Sequence, residues 1–250
     1  MNYLLAHKWQ TTIVIVIILT TLLLISQILY IRFTGDPVAV PSIPRDTQVF
    51  GTGPKRNFVV MGDSTSIGQG ADYARSIAYL SAVSLAHHHE LSWTNLGVSG
   101  AVTQEVVEQQ LPRALELKPD VVLLALGAND VTHLTSLKQF GRDMQSIIMQ
   151  LQTVSPNIKI FLTGSPDMSS VPRFASPTQW IAGIRTKQVN KVVQTFTKKT
   201  NVTFIPIAEK TGAIFKARPE LFAADKFHPT ADGYAVWMPL ILESFKQQGL

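Results

Sequence analysis

The sequence predicts one doubly wound α/β domain with a five-stranded parallel sheet, preceded by a single transmembrane helix. Three observations carry this. The stretch from Thr11 to Ile31 holds no charged residue. From Phe58 onward, five apolar runs of strand length recur. Longer segments with helical spacing of apolar residues separate them.

An uncharged stretch of that length crosses a hydrocarbon core of about 30 Å at the helical rise of about 1.5 Å per residue. A secretory signal is the competing assignment, but its apolar core is shorter and ends at a small-x-small site. Here the run ends in Ile28-Leu29-Tyr30-Ile31-Arg32. An uncleaved anchor over residues 11–31 is therefore the preferred reading, with residues 1–10 as a short tail. Residues 32–57 carry Pro37, Pro41, Pro44 and Pro54 with Gly51 and Gly53. Repeated proline favours extended chain. Two readings stay open for this segment: a stiff spacer, or a stretch packed along the domain surface.

The domain itself is expected over residues 58–250. Its strands are expected at Phe58–Met61, Leu91–Leu96, Val121–Leu126, Ile158–Thr163 and Val202–Ile207. Helical patterns cover Tyr73–His87, Thr103–Leu117, Leu137–Val154, Trp180–Lys199 and Asp232–Gln247. Strands that are apolar throughout are buried on both faces, which implies a parallel sheet covered by helices on either side. In such a flavodoxin-like arrangement, ligands bind at the carboxyl ends of the strands.

Composition removes several functional classes. The 250 residues include no cysteine, so disulfides, thiolate catalysis and zinc-thiolate sites are excluded. The net charge of +5 is modest. The basic residues are scattered, and the pairs Lys55-Arg56 and Lys198-Lys199 make no patch for nucleic acid.

Four short segments carry the chemistry. Gly62-Asp63-Ser64 follows the first domain strand. A serine hydroxyl is a weak nucleophile until a base takes its proton, and a serine in this position is also a common helix cap. The pattern here is Gly-x-Ser-x-Ser, which departs from the Gly-x-Ser-x-Gly elbow of α/β-hydrolases. Asp225 and His228 lie just before the last helical segment. A carboxylate this close can accept the Nδ1 proton of a histidine and leave Nε2 facing a serine. Asn95-Leu96-Gly97-Val98-Ser99-Gly100 and Gly127-Ala128-Asn129-Asp130 each follow a strand. Gly100 is a candidate N–H donor and Asn129 a candidate amide donor to an oxyanion. Gly and Asn are also ordinary turn residues.

Taken in order, these four segments resemble the blocks of the SGNH (GDSL-type) hydrolase family, lipases and esterases, from about Asn57 to the C-terminus. The resemblance implies Ser64 as nucleophile, His228 as general base and then acid, and Asp225 as its orienting partner. It implies an oxyanion hole of the Ser64 and Gly100 N–H groups with the Asn129 side chain. Gly97 is the rival to Gly100. Asp63 and Asp130 become structural acceptors that hold the loops. The family's frequent leucine after the serine is Thr65 here, a change that bears on pocket shape. No metal and no cofactor are implied.

The run His87-His88-His89-Glu90 suits a solvated helix end, since consecutive helical residues point about 100° apart and cannot all face one ion. Met168, Arg173, Phe174 and Trp180 either shape an acyl or alcohol pocket or pack their loop onto the domain. The leading expectation is a membrane-anchored serine esterase acting on a short acyl, lipid, thioester or O-acetyl-glycan substrate. An acyltransferase using the same acyl-enzyme and a non-catalytic envelope-binding module are the alternatives. Lys8 lies on one side of the span and Arg32 and Arg45 on the other, so flanking charge does not decide orientation. The domain is placed outside the cytoplasm because a cytosolic esterase has little need of a span. Oligomeric state is left open.

Overall fold

The computed structural model describes the backbone of residues 2–33 and 36–250 and the side chains of residues 8–30 and 36–250. Met1 of the expected tail, Thr34 and Gly35 of the expected spacer, and the Arg32 side chain used in the charge count lie outside the described residues. One helix, Asn2–Phe33, takes in both the expected tail and the expected span. Its segment Lys8–Tyr30 has a mean hydropathy of 2.7, and none of its residues is fully buried. It is long and apolar enough to cross a membrane.

The sheet has six strands: β1 (Gln48–Phe50), β2 (Lys55–Gly62), β3 (Glu90–Asn95), β4 (Val121–Ala125), β5 (Lys159–Leu162) and β6 (Val202–Phe204). Their order across the sheet is β1-β3-β2-β4-β5-β6. The five expected strands are all present and parallel. Their order is that of the doubly wound flavodoxin-like sheet. The sixth strand, β1, pairs antiparallel with β3 at the edge. It lies within the Pro/Gly-rich segment, where three residues are too few for a strand pattern to show. From Val38 onward that segment runs along the domain rather than away from it. Arg45 Nη1 donates to Gly97 O at 3.0 Å, Thr47 and Thr94 share a hydroxyl bond of 2.9 Å, and Gln69 Nε2 donates to Val38 O at 3.3 Å.

The core follows from the pleat. Phe58, Val59, Val60 and Met61 are buried, as is every residue of β4. Phe58 and Phe161 both meet Phe245 of the helix Ala231–Gln247, with ring centroids 6.2 and 4.6 Å apart. The helix Ile77–Ala86 packs against that last helix and supplies Tyr79 to Trp93 of β3. A second helical layer is formed by residues 103–117, Leu137–Val154 and Thr178–Thr195, which pack on one another. Leu137–Val154 starts as its sequence dictates, with Ser136 Oγ accepting from Gln139 N. It buries Phe140, Met144, Ile147, Ile148 and Leu151, one stripe of a 3.6-residue period.

Ile207–Ala217 is the longest of the helices outside the expected set among the described residues. The apolar run Val202–Ile207 reads as one strand, but β6 stops at Phe204 and Pro206 precedes the helix. A proline lacks the N–H that a continuing ladder requires.

Candidate active site

The close approach of two strands sets the first element. At Gly62 the backbone has φ +140°, and a Cβ there would lie 1.8 Å from Ala125 O. Only glycine lets β2 end this tightly against β4. Gln110 clamps the same residue. Its Oε1 accepts from Gly62 N and its Nε2 donates to Gly62 O, both at 2.8 Å. The chain then enters the short helix Ser64–Ile67, capped by Asp63. Asp63 Oδ1 accepts from Thr65 N at 2.9 Å and from Thr65 Oγ1 at 2.8 Å. This turn places Ser64 at the carboxyl end of the central strand.

The second element is a tight loop before the last helix. Phe222 bridges Pro229, and Ala223 N donates to His228 O at 2.8 Å. Inside it, Asp225 Oδ1 accepts from Phe227 N and His228 N, both at 3.0 Å. Asp225 Oδ2 lies 2.5 Å from His228 Nδ1, and His228 Nε2 lies 3.0 Å from Ser64 Oγ. Burial works to raise the Asp225 pKa. The bonds from the His228 ring and from the two backbone N–H groups outweigh it and hold the carboxyl below its ordinary value. Residues 164 positions apart in sequence thus form one continuous chain of bonds from carboxylate through imidazole to hydroxyl. Such a chain can draw the Ser64 proton onto Nε2 while Asp225 steadies the imidazolium.

The third element is a set of donors. Gly97 N donates to Asn95 Oδ1 at 3.0 Å, so its N–H is already committed. Gly100 has φ +84° with no atom near where a Cβ would stand. Among the described residues, neither the Ser64 N–H nor the Gly100 N–H donates to a protein acceptor. That favours Gly100 over its rival. Ser99 Oγ holds this loop to Gln69 Oε1 at 2.6 Å. Asn129 is buried in the short helix Ala128–Thr132, and its Nδ2 donates to Ala101 O at 3.1 Å. One amide hydrogen is thereby anchored and the other is left to a ligand. Asp130 ties the two loops together, its Oδ2 accepting from Thr103 N at 3.1 Å and from Thr103 Oγ1 at 2.8 Å.

Residues 60–236 match the model of the GDSL-like Lipase/Acylhydrolase family. The chain belongs to that family. This GDSL hydrolase is a carboxylic-ester hydrolase. It is similar to the GDSL-like esterase Rv1075c of Mycobacterium tuberculosis, with 25% identity over 237 residues, 88% of this chain and 74% of that one. Among solved structures, it resembles phospholipase A1 from Streptomyces albidoflavus NA297 at TM-score 0.60 and 18% identity, over 76% of this chain and 99% of that chain. It also resembles the lipase/acylhydrolase from Enterococcus faecalis at TM-score 0.58 and 21% identity, over 77% and 96% of the two chains. At these identities the likeness is one of fold.

Beside Ser64 and His228, the GDSL hydrolase has an apolar cavity of about 30 Å³. Met168, Val171, Phe215, Phe222, Phe227 and Trp237 line it. Of the four loop residues singled out in the sequence, only Met168 reaches this cavity. Phe174 packs edge-on against Phe227 at 6.0 Å, Arg173 N donates to Lys226 O at 3.1 Å, and Trp180 is exposed. Phe215 comes from the unexpected helix Ile207–Ala217. Gln110, the Gly62 clamp, also escaped sequence reasoning. It sits mid-helix, and no local signal marks a buried glutamine. Thr65, where the family often has leucine, supplies the second bond to Asp63 and also lines the cavity.

Asp63 has a measurable consequence. Burial raises its pKa to about 6, only partly offset by the bonds from Thr65, and Oδ2 has no partner among the described residues. A folded-state pKa above the ordinary 3.8 means this group's contribution to stability is full below that value. It is lost as pH rises through about 6. Chemical denaturation of Asp63→Asn and wild type at pH 4 and pH 7 should therefore differ. The wild type should lose about 2 kcal/mol more than the variant over that interval. Equal pH dependence in the two proteins would show that residue 63 does not titrate there.

Proposed function

We propose that this GDSL hydrolase is a membrane-anchored serine esterase that cleaves a short-chain carboxylic ester through an acyl-enzyme on Ser64. The observation that carries the reading is the bonded series of Asp225, His228 and Ser64 at 2.5 and 3.0 Å. Ser64 Oγ attacks the ester carbonyl as its proton passes to His228 Nε2. The tetrahedral oxyanion is met by the N–H groups of Ser64 and Gly100 and by the free amide hydrogen of Asn129. His228 returns the proton to the leaving alkoxide, and the alcohol departs. Water then adds to the acyl carbonyl with His228 as base, and the free acid leaves with Ser64 restored. Residues 11–31 are the anchor. Residues 58–250 form the hydrolase domain, completed at its edge by β1 from the preceding segment. The domain lies outside the cytoplasm.

Size supports the short acyl group. A cavity of about 30 Å³ beside the nucleophile has room for roughly one water molecule or an acyl methyl. The test is initial rates of the full-length chain in detergent micelles on p-nitrophenyl esters from acetyl to palmitoyl, beside Ser64→Ala. kcat/KM should fall with each carbon beyond the shortest acyl groups. An optimum at octanoyl or longer would overturn the short-acyl reading. Val171→Ala widens the cavity wall. It should raise the butyryl-to-acetyl ratio of kcat/KM about fourfold, the worth of about one buried methylene. An unchanged ratio would remove Val171 from the acyl wall.

A further inference from the structure

The domain touches its own apolar helix below that helix's end. Gln27 accepts from Thr178 Oγ1 at 2.8 Å and donates through Nε2 to Ser176 O at 2.6 Å. Leu24, one turn earlier, is only partly exposed, whereas its neighbours Leu23 and Ile25 are exposed. The apolar segment runs to Tyr30. At about 1.5 Å per residue, Gln27 and Leu24 lie about 5 and 9 Å inside that end. A bilayer that accepts the segment therefore reaches the height of Ser176 and Thr178.

The surface beside this contact suits that environment. Thr178–Thr195 begins there, and on its first turns Trp180, Ile181 and Ile184 are 74%, 43% and 52% exposed. Trp180, Ile184 and the exposed Lys187 follow one another at helical spacing on one face. Tryptophan sits well at the boundary of hydrocarbon and headgroups, and lysine extends its charge to lipid phosphates from an apolar stem. The same three side chains border an open cleft of about 610 Å³. Asp167 lines both this cleft and the small cavity beside Ser64.

We propose that Trp180, Ile181 and Ile184 form a membrane-seating face that docks the hydrolase domain onto the bilayer its N-terminal helix spans. The cleft beside Asp167 then opens at the headgroup layer. The substrate is a short acyl ester carried by a molecule held at the membrane surface. The occupant of the face is the lipid surface, because the domain meets the apolar helix within its membrane-crossing length at this place. This inference rests on the membrane-anchored reading above.

The absence of cysteine makes a labelling test direct. The full-length chain is reconstituted in vesicles of phosphatidylcholine with phosphatidylglycerol, carrying the fluorophore NBD in turn at Ile18→Cys, Ile184→Cys or Val83→Cys. Ile18 lies in the apolar helix, and Val83 lies on Ile77–Ala86, which packs with the last helix instead. Lipids with a doxyl quencher near the headgroup should quench the label at 184 strongly and the label at 83 hardly at all. Emission at 184 should shift to the blue of emission at 83. If 18 is lipid-buried while 184 behaves like 83, the anchor stands and the seating face is overturned. If the label at 18 is itself solvent-exposed, the anchored reading falls and this inference falls with it.

Discussion

Ser64→Ala should lower kcat/KM on p-nitrophenyl acetate by about 10⁴- to 10⁶-fold while leaving the fold intact. The hydroxyl's bond within the described residues is to His228 Nε2 at 3.0 Å, so its loss removes one side-chain bond and no packing group. Stability should change by about 1 kcal/mol or less. A residual rate above solution is expected, because the Gly100 N–H and the Asn129 amide still meet the oxyanion. A stopped assay with purified variant and a matched thermal melt check both halves. Retained turnover with a normal melt would exclude Ser64 as nucleophile.

Asp225→Asn should cost about 10⁴-fold in kcat, with a smaller effect on KM. The carbonyl oxygen of Asn can still accept from Phe227 N and His228 N, the two bonds of 3.0 Å that shape the loop. The loop therefore survives. What changes is the other atom. An amide N–H now faces His228 Nδ1, where Oδ2 stood at 2.5 Å. It donates to Nδ1, which forces the ring proton onto Nε2. That nitrogen then points a hydrogen at Ser64 Oγ instead of a lone pair, and the base is lost. A pH–rate profile and the imidazole tautomer by nitrogen NMR distinguish this from unfolding. A variant that keeps the wild-type tautomer and rate would show that Asp225 only shapes the loop.

The candidate site was legible to the extent that its chemistry sits in short, contiguous words. Gly62-Asp63-Ser64 and Asp225-Lys226-Phe227-His228 each carry a reacting group together with the backbone turn that presents it. Both stand at places the strand and helix pattern had already marked. Gly97 and Gly100 are two glycines in one loop, and only the family resemblance prefers Gly100 in the sequence; the bond from Gly97 N to Asn95 Oδ1 agrees with that preference. By contrast, β1 was hidden, because three residues between prolines and glycines have no period to read. The helix Ile207–Ala217 was masked by the apolar run before it.

From the sequence alone came the alternation of buried strands with amphipathic helices, the apolar N-terminal helix, and the identity of Ser64, Asn129, Asp225 and His228. These are local properties: periodicity, turn chemistry and side-chain type depend on neighbours a few residues away. Tertiary structure alone decided the 3.0 Å approach of His228 to Ser64 and the cavity walled by Met168, Val171, Phe215 and Trp237. It alone decided that the domain leans on Gln27 of its own apolar helix. Each of these joins segments tens to more than a hundred residues apart. Close packing fixes such distances through the summed volumes of the whole core, and no short window of sequence contains that sum.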